Sequence, residues 1–264
     1  MPSKPKLGQT YLVDVQAAQR IVTALGELAG RTVVEIGPGQ GAITGALAAR
    51  AGHVVAIELD RELAAGLRGG FDPGRVTVVE QDILQFDFTA AAREAGERLR
   101  VAGNLPYYIT SPILLKLAAN HAALDLAVLM VQREVADRVT ATPGSRDYGL
   151  LSVTAQMYGP VEQLFTLPPW AFSPPPQVHS ALIRWRFAPR FAELGVQESG
   201  FLRFLRQTFA QKRKTLVNNL RAAGVAPATA AATMAHAGID AQARAEAVPI
   251  ELLAALWRRL EETK

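Results

Sequence analysis

The sequence predicts an α/β fold in which a mostly parallel β-sheet is followed by a small helical domain. Short β-branched runs alternate with helix-like stretches, an arrangement typical of parallel sheets. One such run ends at Glu35 and leads into a glycine-rich turn, Gly37–Gly41, before a helix-like stretch. The chain has 264 residues, of which 49% are apolar, so it can hold one large domain and a small second one.

The predicted elements follow from the period of the apolar residues. Residues 15–28 have helical spacing, and Asp14 can cap this helix. The expected strands are 33–35, 53–58, 76–80, 99–103 and 125–132, followed by an antiparallel pair at 161–167 and 180–187. The other expected helices are 42–50, 61–67, 133–140, 150–157, 201–223, 227–237 and 249–262. Because Pro189 and two glycines fall within 187–200, we expect a sheet domain at 1–190 and a helical domain at 191–264.

Composition excludes several classes of site. The chain has no cysteine, which rules out disulfides, thiolate metal ligands and a thiol nucleophile. Its four histidines show no ligand spacing, so we expect no metal site. No run of 18 apolar residues occurs and the first residues lack an apolar signal segment, so we expect a cytoplasmic protein with no membrane partner. A formal net charge of +4 and a pI near 9.6 slightly favour nucleic acid as a partner.

The glycine turn is the first candidate binding site, because glycine lets a ligand approach the backbone at a helix N-terminus. Gly37 and Gly39 also fit the loose dinucleotide pattern, with Glu58 roughly 20 residues further on. The acid Glu35 and the third glycine, Gly41, instead favour an S-adenosylmethionine (SAM) turn, in which Glu58 accepts hydrogen bonds from the two ribose hydroxyls. A nucleotide site and a purely structural turn are the alternatives.

Polar residues follow the third and fourth expected strands, at the edge where parallel sheets bind ligands. Asp82 can accept a hydrogen bond from an adenine amino group, or it can cap a turn. The tetrapeptide Asn104-Leu105-Pro106-Tyr107 follows the fourth strand, and Pro106 restricts the residue before it so that carbonyls can point outward. Two acceptors beside the flat face of Tyr107 suit a base with an exocyclic amine, whereas the structural alternative is a simple Pro-Tyr turn.

Two later segments are candidates for contacts with nucleic acid. Segment 168–178 contains five prolines and two aromatic residues that look exposed, Trp170 and Phe172, although Phe172 could instead lie in the core. Segment 201–223 has cations but no acid, and its apolar residues repeat at helical intervals, so one amphipathic helix with a phosphate-facing stripe is expected. A merely solvated face is the alternative. The six cations are Arg203, Arg206, Lys212, Arg213, Lys214 and Arg221.

Five stretches match the motifs of one family, in order along the chain. Glu35–Gly41 has the pattern Glu-x-Gly-x-Gly-x-Gly, and Asn104–Tyr107 is Asn-Leu-Pro-Tyr. Leu7–Leu12 is similar to Gly-Gln-Asn-Phe-Leu, Ala171–Ala181 to a proline loop, and Phe209–Leu220 to Phe-x-x-Arg-Arg-Lys-Thr-Leu-x-Asn-x-Leu. Together they resemble the rRNA adenine dimethyltransferases, and most closely the branch that acts on small-subunit 16S rRNA.

The resemblance implies a class I SAM-dependent methyltransferase with a Rossmann-like catalytic domain at 1–190 and an rRNA-binding domain at 191–264. It implies dimethylation of the 6-amino groups of two adjacent adenosines near the 3′ end of 16S rRNA in the small subunit, with a role in its biogenesis. We also expect a monomer. The implied catalytic residues are Asn104, Leu105, Pro106, Tyr107 and Phe172, with Phe172 stacking on the target base opposite Tyr107. The implied cofactor-binding residues are Thr10, Leu12, Gly37, Gly39, Gly41, Glu58, Asp82 and Asn104, and the six cations are the implied RNA-binding residues.

Two departures from the family pattern and three rival functions accompany this interpretation. Thr10 and Tyr11 stand where the family usually has Asn and Phe, and Gln177 replaces a lysine that could contact phosphate.

The 23S rRNA dimethylating branch is the nearest rival, but that branch more often has Ile at the position of Leu105 and Asp at the position of Pro112. A non-catalytic ribosome assembly factor would not need an intact cofactor set. A nucleotide-dependent oxidoreductase leaves the Asn-Leu-Pro-Tyr motif unexplained.

Overall fold

The structure is a computed structural model that describes residues 10–263, so Leu7, Gly8 and Gln9 of the N-terminal motif lie outside it. Its strands, in chain order, are β1 (Tyr11–Leu12), β2 (Thr32–Ile36), β3 (His53–Glu58), β4 (Val76–Glu80), β5 (Leu99–Asn104), β6 (Leu124–Gln132), β7 (Val161–Leu167), β8 (Phe172–Ser173) and β9 (Ser180–Arg186). Its α-helices are α1 (Val15–Ala24), α2 (Thr44–Ala48), α3 (Arg61–Gly70), α4 (Phe88–Ala95), α5 (Thr110–Ala119), α6 (Arg133–Val139), α7 (Leu150–Met157), α8 (Glu198–Thr208), α9 (Leu216–Ala222), α10 (Pro227–His236) and α11 (Ile250–Glu262).

Seven strands form one sheet in the order β4-β3-β2-β5-β6-β9-β7. Every neighbouring pair is parallel except the two that involve β9, which runs antiparallel to both β6 and β7. This arrangement confirms the predicted α/β class with one antiparallel closing strand. The chain moves outward from β2 to β4 and then returns to place β5 on the other side of β2. Parallel sheets bind ligands beyond the carboxyl ends of the strands at such a reversal.

Strand register places the candidate polar residues on both sides of the glycine turn. Ile36, the last residue of β2, lies opposite Ile57 of β3 and Gly103 of β5. A Cβ on Gly103 would lie 2.7 Å from the Ile36 carbonyl oxygen, so only glycine allows the two strands to approach this closely. Glu58 and Asn104 are the next residues on β3 and β5, and they therefore flank the turn that follows Ile36.

Helix α1 shows how local sequence sets an element's limits. The Asp14 side chain accepts a hydrogen bond from the Ala17 backbone N–H at 3.0 Å, which confirms the predicted cap. The helix ends at Ala24 instead of continuing to residue 28, because Gly26 adopts a φ of 78° and its N–H bonds to the Thr23 carbonyl.

The chain divides into two compact units that differ from the two continuous segments we expected. One unit comprises residues up to Ala136 together with Pro160–Phe187, and the other comprises Asp137–Gly159 together with residues from Ala188 onward. Segment 137–159 groups with the C-terminal helices because α7 packs on α8. The Ala188 and Arg190 N–H groups also donate to the carbonyls of Tyr158 and Met157, each at 2.9 Å. The assignment of catalysis to 1–190 and RNA binding to 191–264 stays a prediction.

The single helix predicted over 201–223 is wrong, because α8 and α9 are separated by a non-helical stretch. In that stretch the Gln211 backbone N–H and carbonyl both bond to the Asn219 side-chain amide, at 3.2 and 3.3 Å. The Leu216 N–H donates to Ala243 at 2.8 Å, so tertiary partners replace the bonds of a continuous helix. None of the helices within residues 10–263 is long and apolar enough to cross a membrane.

Candidate active site

A cavity of about 280 Å³ lies at the carboxyl ends of β2, β3 and β5, where the strand order reverses. Its lining residues are 10–12, 36–40, 42–43, 57–60, 81–83 and 104–109. The structure therefore brings together most of the residues singled out in the sequence. The candidates in the cavity wall are Thr10, Leu12, Gly37, Gly39, Glu58, Asp82, Asn104, Leu105, Pro106 and Tyr107, whereas Gly41 and Phe172 lie outside it.

The turn after β2 has a backbone that excludes side chains. Gly39 has a φ of 57°, and a Cβ there would lie 2.8 Å from the Tyr11 ring. Gly41 has a φ of 85°, but its missing Cβ faces Leu67 and Phe71 instead of the cavity. Gly41 therefore shapes the turn against α3 and the residue that follows it, and its contact with the cofactor stays a prediction.

Glu58 ends β3 as a buried carboxylate, with only 4% of its surface exposed. Its Oε2 accepts a hydrogen bond from the Gly39 N–H at 3.0 Å, and its Oε1 accepts one from the Asp60 N–H at 2.9 Å. These two bonds fix the carboxylate beside the glycine turn. Each carboxylate oxygen can accept a further bond, so the group can still receive the two hydroxyls of a ribose.

Asp82 has the structural role that its sequence position allowed, that of a turn cap. Its Oδ1 accepts a hydrogen bond from the Leu84 N–H at 2.9 Å and caps a short 3-10 turn, Ile83–Gln85. The same residue lines the cavity, so capping holds the carboxylate in the wall instead of removing it from the site.

Asn104, the last residue of β5, carries an acceptor that no protein group satisfies. Its Nδ2 donates to the Thr10 carbonyl at 2.9 Å, which fixes the orientation of the amide. Its Oδ1 is buried and has no hydrogen-bond partner among residues 10–263. Leaving such a group unsatisfied costs about 1–3 kcal/mol. The unsatisfied acceptor thus belongs to a residue that lines the cavity, and the bond to Thr10 anchors the other end of the same amide.

The residues after Asn104 are held by backbone bonds. The Leu105 N–H donates to the Met130 carbonyl at 3.0 Å, and the Leu105 side chain is buried. The Pro106 carbonyl accepts from the Ile109 N–H and the Thr110 hydroxyl, at 3.2 and 3.1 Å. The Tyr107 hydroxyl bonds to the Ser180 hydroxyl at 2.6 Å, which fixes the ring where it lines the cavity.

Phe172 is not exposed, contrary to the expectation from its proline-rich surroundings. Only 3% of its surface is accessible, and it belongs to the hydrophobic core. The cause is the short strand pair β1–β8, in which Phe172 lies opposite Leu12. Trp170, two residues earlier, is 72% exposed as expected.

Glu35 is a functional candidate to which the sequence assigned no role beyond classifying the turn. It is fully buried in β2, and neither of its oxygens has a hydrogen-bond partner among the described residues. Burial raises the pKa of Glu35 to about 8; the nearby Thr44 hydroxyl opposes this rise, and the Glu58 carboxylate adds to it. The carboxyl therefore favours its neutral form at neutral pH.

Sequence reasoning also gave no site role to most apolar and aromatic residues of the wall, among them Tyr11, Leu59 and Tyr108. Tyr11 covers Gly39, and burial together with the charges of Glu58 and Asp60 raises the pKa of its hydroxyl. The aromatic position in the N-terminal motif was the signal for Tyr11. Leu59 and Tyr108 each directly follow a residue that the sequence had singled out.

The six predicted RNA-binding cations all belong to the helical unit and are exposed. Within residues 10–263 none of them forms an ion pair with an acid. Arg203 and Arg206 lie on α8 and Arg221 lies on α9, whereas the other three lie in the stretch between these helices.

The cavity of the sheet unit fits SAM. Its glycine cradle has no room for side chains at Gly39, a fixed carboxylate stands at the end of the adjacent strand, and an unsatisfied acceptor lies at the end of β5. A sheet with this strand order and this cavity defines a class I SAM-dependent methyltransferase.

Comparisons with known proteins narrow this class. The family model for ribosomal RNA adenine dimethylase matches residues 2–262. A protein of Acidobacterium capsulatum named ribosomal RNA small subunit methyltransferase A is 61% identical over 98% of this chain and 92% of its own length. A protein of the same name from Koribacter versatilis is 50% identical over 98% of this chain and 95% of its own.

Solved structures have the same fold. A dimethyladenosine transferase from Plasmodium falciparum superposes with a TM-score of 0.80 at 21% identity, covering 96% of this chain and 98% of its own. The 23S rRNA methyltransferase ErmE superposes with a TM-score of 0.74 at 25% identity, covering 95% and 99%. The chain belongs to the ribosomal RNA adenine dimethylase family, and SAM is its methyl donor.

Proposed function

We propose that this protein dimethylates the 6-amino groups of two adjacent adenosines near the 3′ end of 16S rRNA, within the small ribosomal subunit. The support comes from two relatives that match 98% of this chain and are named small subunit methyltransferases, one of them 61% identical. We also propose that the protein acts in the cytoplasm as a monomer, where a ribosomal substrate is available.

The observation that carries the proposal is the unsatisfied Oδ1 of Asn104. An adenine 6-amino group is a donor that this acceptor can bind. The amine is a poor nucleophile because its lone pair is delocalised into the ring. Acceptors that bind its hydrogens, at Asn104 Oδ1 and the Leu105 carbonyl, favour a pyramidal nitrogen and so stabilise the transition state more than the ground state.

The residues of the glycine turn, Glu58 and Asp82 would hold SAM, with Glu58 bonding the ribose and Asp82 the adenine amine. When bound, SAM supplies an electrophilic methyl group for an in-line displacement by nitrogen. Thr10 and Leu12 would close this side of the cavity. The protein contributes alignment more than acid–base chemistry, because the amine loses a proton readily once nitrogen is alkylated.

Tyr107 would place its ring against the target base, since its hydroxyl is already held by Ser180. After the first transfer the amine keeps one hydrogen, and a single acceptor suffices to orient it for the second. We therefore expect the Asn104 acceptor to serve in both transfers.

Phe172 has a different role in this proposal from the one that the resemblance implies. Stacking on the base requires that its ring leave the core, where 3% of its surface is now exposed. In its present position the ring supports Leu12, which lines the cavity. Phe172→Ala would therefore create a core cavity and cost about 3–5 kcal/mol of folding free energy. Phe172→Leu, which keeps most of the packing, is the variant that tests stacking.

The six exposed cations of the helical unit would bind rRNA through its phosphates. Unpaired, exposed Lys and Arg side chains give affinity without sequence preference. The choice of nucleotide would then depend on the cavity.

The decisive experiment is transfer of labelled methyl groups from SAM to small-subunit particles that lack the modification. We expect N6-dimethyladenosine at two adjacent positions of 16S rRNA, and no label in large-subunit particles. Label in 23S rRNA would instead favour the ErmE-like reaction. SAM and particle binding without transfer would favour a non-catalytic assembly factor.

A further inference from the structure

Large apolar side chains are exposed mainly in the segments that carry the cavity wall. Among the described residues they are Val13, Val15, Leu59, Tyr108, Leu115, Trp170 and Val178. Leu59 and Tyr108 line the cavity themselves. Val13 directly follows the lining residue Leu12. Phe172 is the strand partner of Leu12, and Trp170 lies two residues before Phe172.

The backbone around Trp170 is held firmly while its side chain stays in solvent. Trp170 is the middle residue of a 3-10 turn, Pro169–Ala171, in which the Ala171 N–H donates to the Pro168 carbonyl at 3.1 Å. The Ala171 carbonyl accepts from the N–H groups of Val13 and Asp14, at 2.9 and 3.3 Å. Ala171 is fully buried, yet Trp170 is 72% exposed. The indole therefore contributes little to the core.

Those backbone bonds bring together two segments that each carry exposed apolar side chains. We call Val13 (52% exposed), Val15 (73% exposed) and Trp170 the Trp170 patch. The patch borders the cavity, since Tyr11 and Leu12 line it and pair with Ser173 and Phe172. Val13 is the next residue after Leu12, and one residue of extended chain spans about 3.4 Å, so the patch begins beside the wall.

An unpaired nucleotide is the occupant that this surface fits. A target adenine must leave its stack to reach an enclosed cavity, and its neighbours on the strand are then exposed as well. Such bases bind by stacking on aromatic side chains. Arg20, an exposed residue of the helix that begins at Val15, adds a cation for a phosphate, and its guanidinium is already stacked 3.5 Å from the centre of the Phe165 ring.

We propose that Trp170 stacks on an unpaired rRNA nucleotide that neighbours the adenosine being methylated. This inference rests on the proposed rRNA substrate. It assigns to Trp170 a positioning role outside the cavity, in a segment that precedes the family-like stretch beginning at Ala171.

The first test is the kinetics of methyl transfer to unmodified small-subunit particles. We expect Trp170→Ala to raise the KM for particles by about 5- to 150-fold, the range for the loss of one stacked base, with the KM for SAM unchanged. Trp170→Phe should retain most of the affinity because it keeps a stacking face. Leu115→Ala, which removes another exposed apolar side chain (51% exposed), is the matched control and should leave both constants unchanged.

The second test is intrinsic fluorescence during titration with a short RNA that contains two adjacent adenosines. The other two tryptophans, Trp185 and Trp257, are buried and half-buried, so RNA should quench mainly Trp170. We expect quenching in the unmodified chain and little in Trp170→Phe.

Equal quenching in both proteins would overturn the inference, as would a particle KM within twofold for Trp170→Ala. A KM effect with particles but no quenching by RNA would also overturn it, in favour of a ribosomal protein as the occupant. If the unmodified chain methylates no particles, the proposed function fails instead.

Discussion

The cavity of the sheet unit and the basic segment of the helical unit differ in how far their polar groups are exposed to solvent. In the cavity wall Glu58 is buried and the Asn104 acceptor is shielded from water, and Glu35 is buried in the strand that leads into the glycine turn. In the basic segment Lys212, Arg213 and Lys214 are exposed. Buried groups act at fixed distances in a medium that salt hardly screens, whereas exposed charges act over the Debye length and weaken as salt rises. The first region is therefore suited to chemistry and the second to attachment.

The strongest test of this contrast is Asn104→Ala. Removing one preorganised hydrogen-bonding group lowers turnover by roughly 100- to 1000-fold. We expect that loss in single-turnover methylation at saturating SAM and saturating particles, at low and at high salt alike. Because the change removes an unsatisfied acceptor, the thermal midpoint should not fall in proportion to activity. Turnover within threefold of the unmodified chain would show that Asn104 Oδ1 does not meet the amine.

Glu58→Ala should have the next largest effect, and it should appear in cofactor affinity. Loss of hydrogen bonds to a charged group removes roughly 1.5–3 kcal/mol, or about 10- to 150-fold in the Kd for SAM measured by calorimetry. Glu80→Ala is the matched control. Glu80 lies opposite Glu58 at the end of β4 but pairs with Arg68 at 3.4 Å outside the cavity. Equal affinities for the two variants would remove Glu58 from the cofactor site.

Glu35→Gln tests whether the raised pKa of this buried carboxyl makes the stability of the protein depend on pH. The pKa of Glu35 rises from 4.5 to about 8 on folding, so the folded state binds a proton that the unfolded state has already lost. The free energy of unfolding should therefore fall as pH rises between 4.5 and 8. One such group gives a slope of at most about 1.4 kcal/mol per pH unit. Thermal melts of the SAM-free protein at pH 6 and pH 8 should show a smaller drop in the Gln variant, and an equal drop would contradict the assignment.

Neutralising Lys212, Arg213 and Lys214 together should have the smallest effect per residue. RNA affinity should fall, and the slope of its logarithm against the logarithm of salt concentration should flatten by roughly 0.7–0.9 per lost contact. Filter binding across a salt series would measure both quantities. A control that neutralises Arg93, an exposed cation of α4 in the sheet unit, should leave the slope unchanged. If the triple variant also kept its slope, the basic segment would be only a solvated surface.

Prediction from sequence succeeded where neighbouring residues determine the outcome. Strands β3 and β4 have the bounds that we expected, because continuous apolar runs between turn residues define them. The orientation of the Asn104 amide was beyond such reasoning, since it depends on Thr10, 94 residues earlier. The burial of Phe172 depends on a two-residue strand that carries no periodic pattern. The break between α8 and α9 depends on the Asn219 side chain and on Ala243, which helical spacing does not reveal.

The pair β1–β8, with only two residues in each strand, has a consequence for exchange rates. Isolated pairs of this size are marginal, whereas β2 is flanked by a strand on each side. The Val13 amide, bonded to Ala171, should therefore exchange its hydrogen with solvent through local opening, while amides in the middle of β2 exchange only when the whole unit opens. The wall that Tyr11 and Leu12 form can thus release a bound molecule many times within the lifetime of the sheet. An enzyme that must replace its spent cofactor between successive methyl transfers benefits from a cavity wall that opens more often than the sheet unfolds.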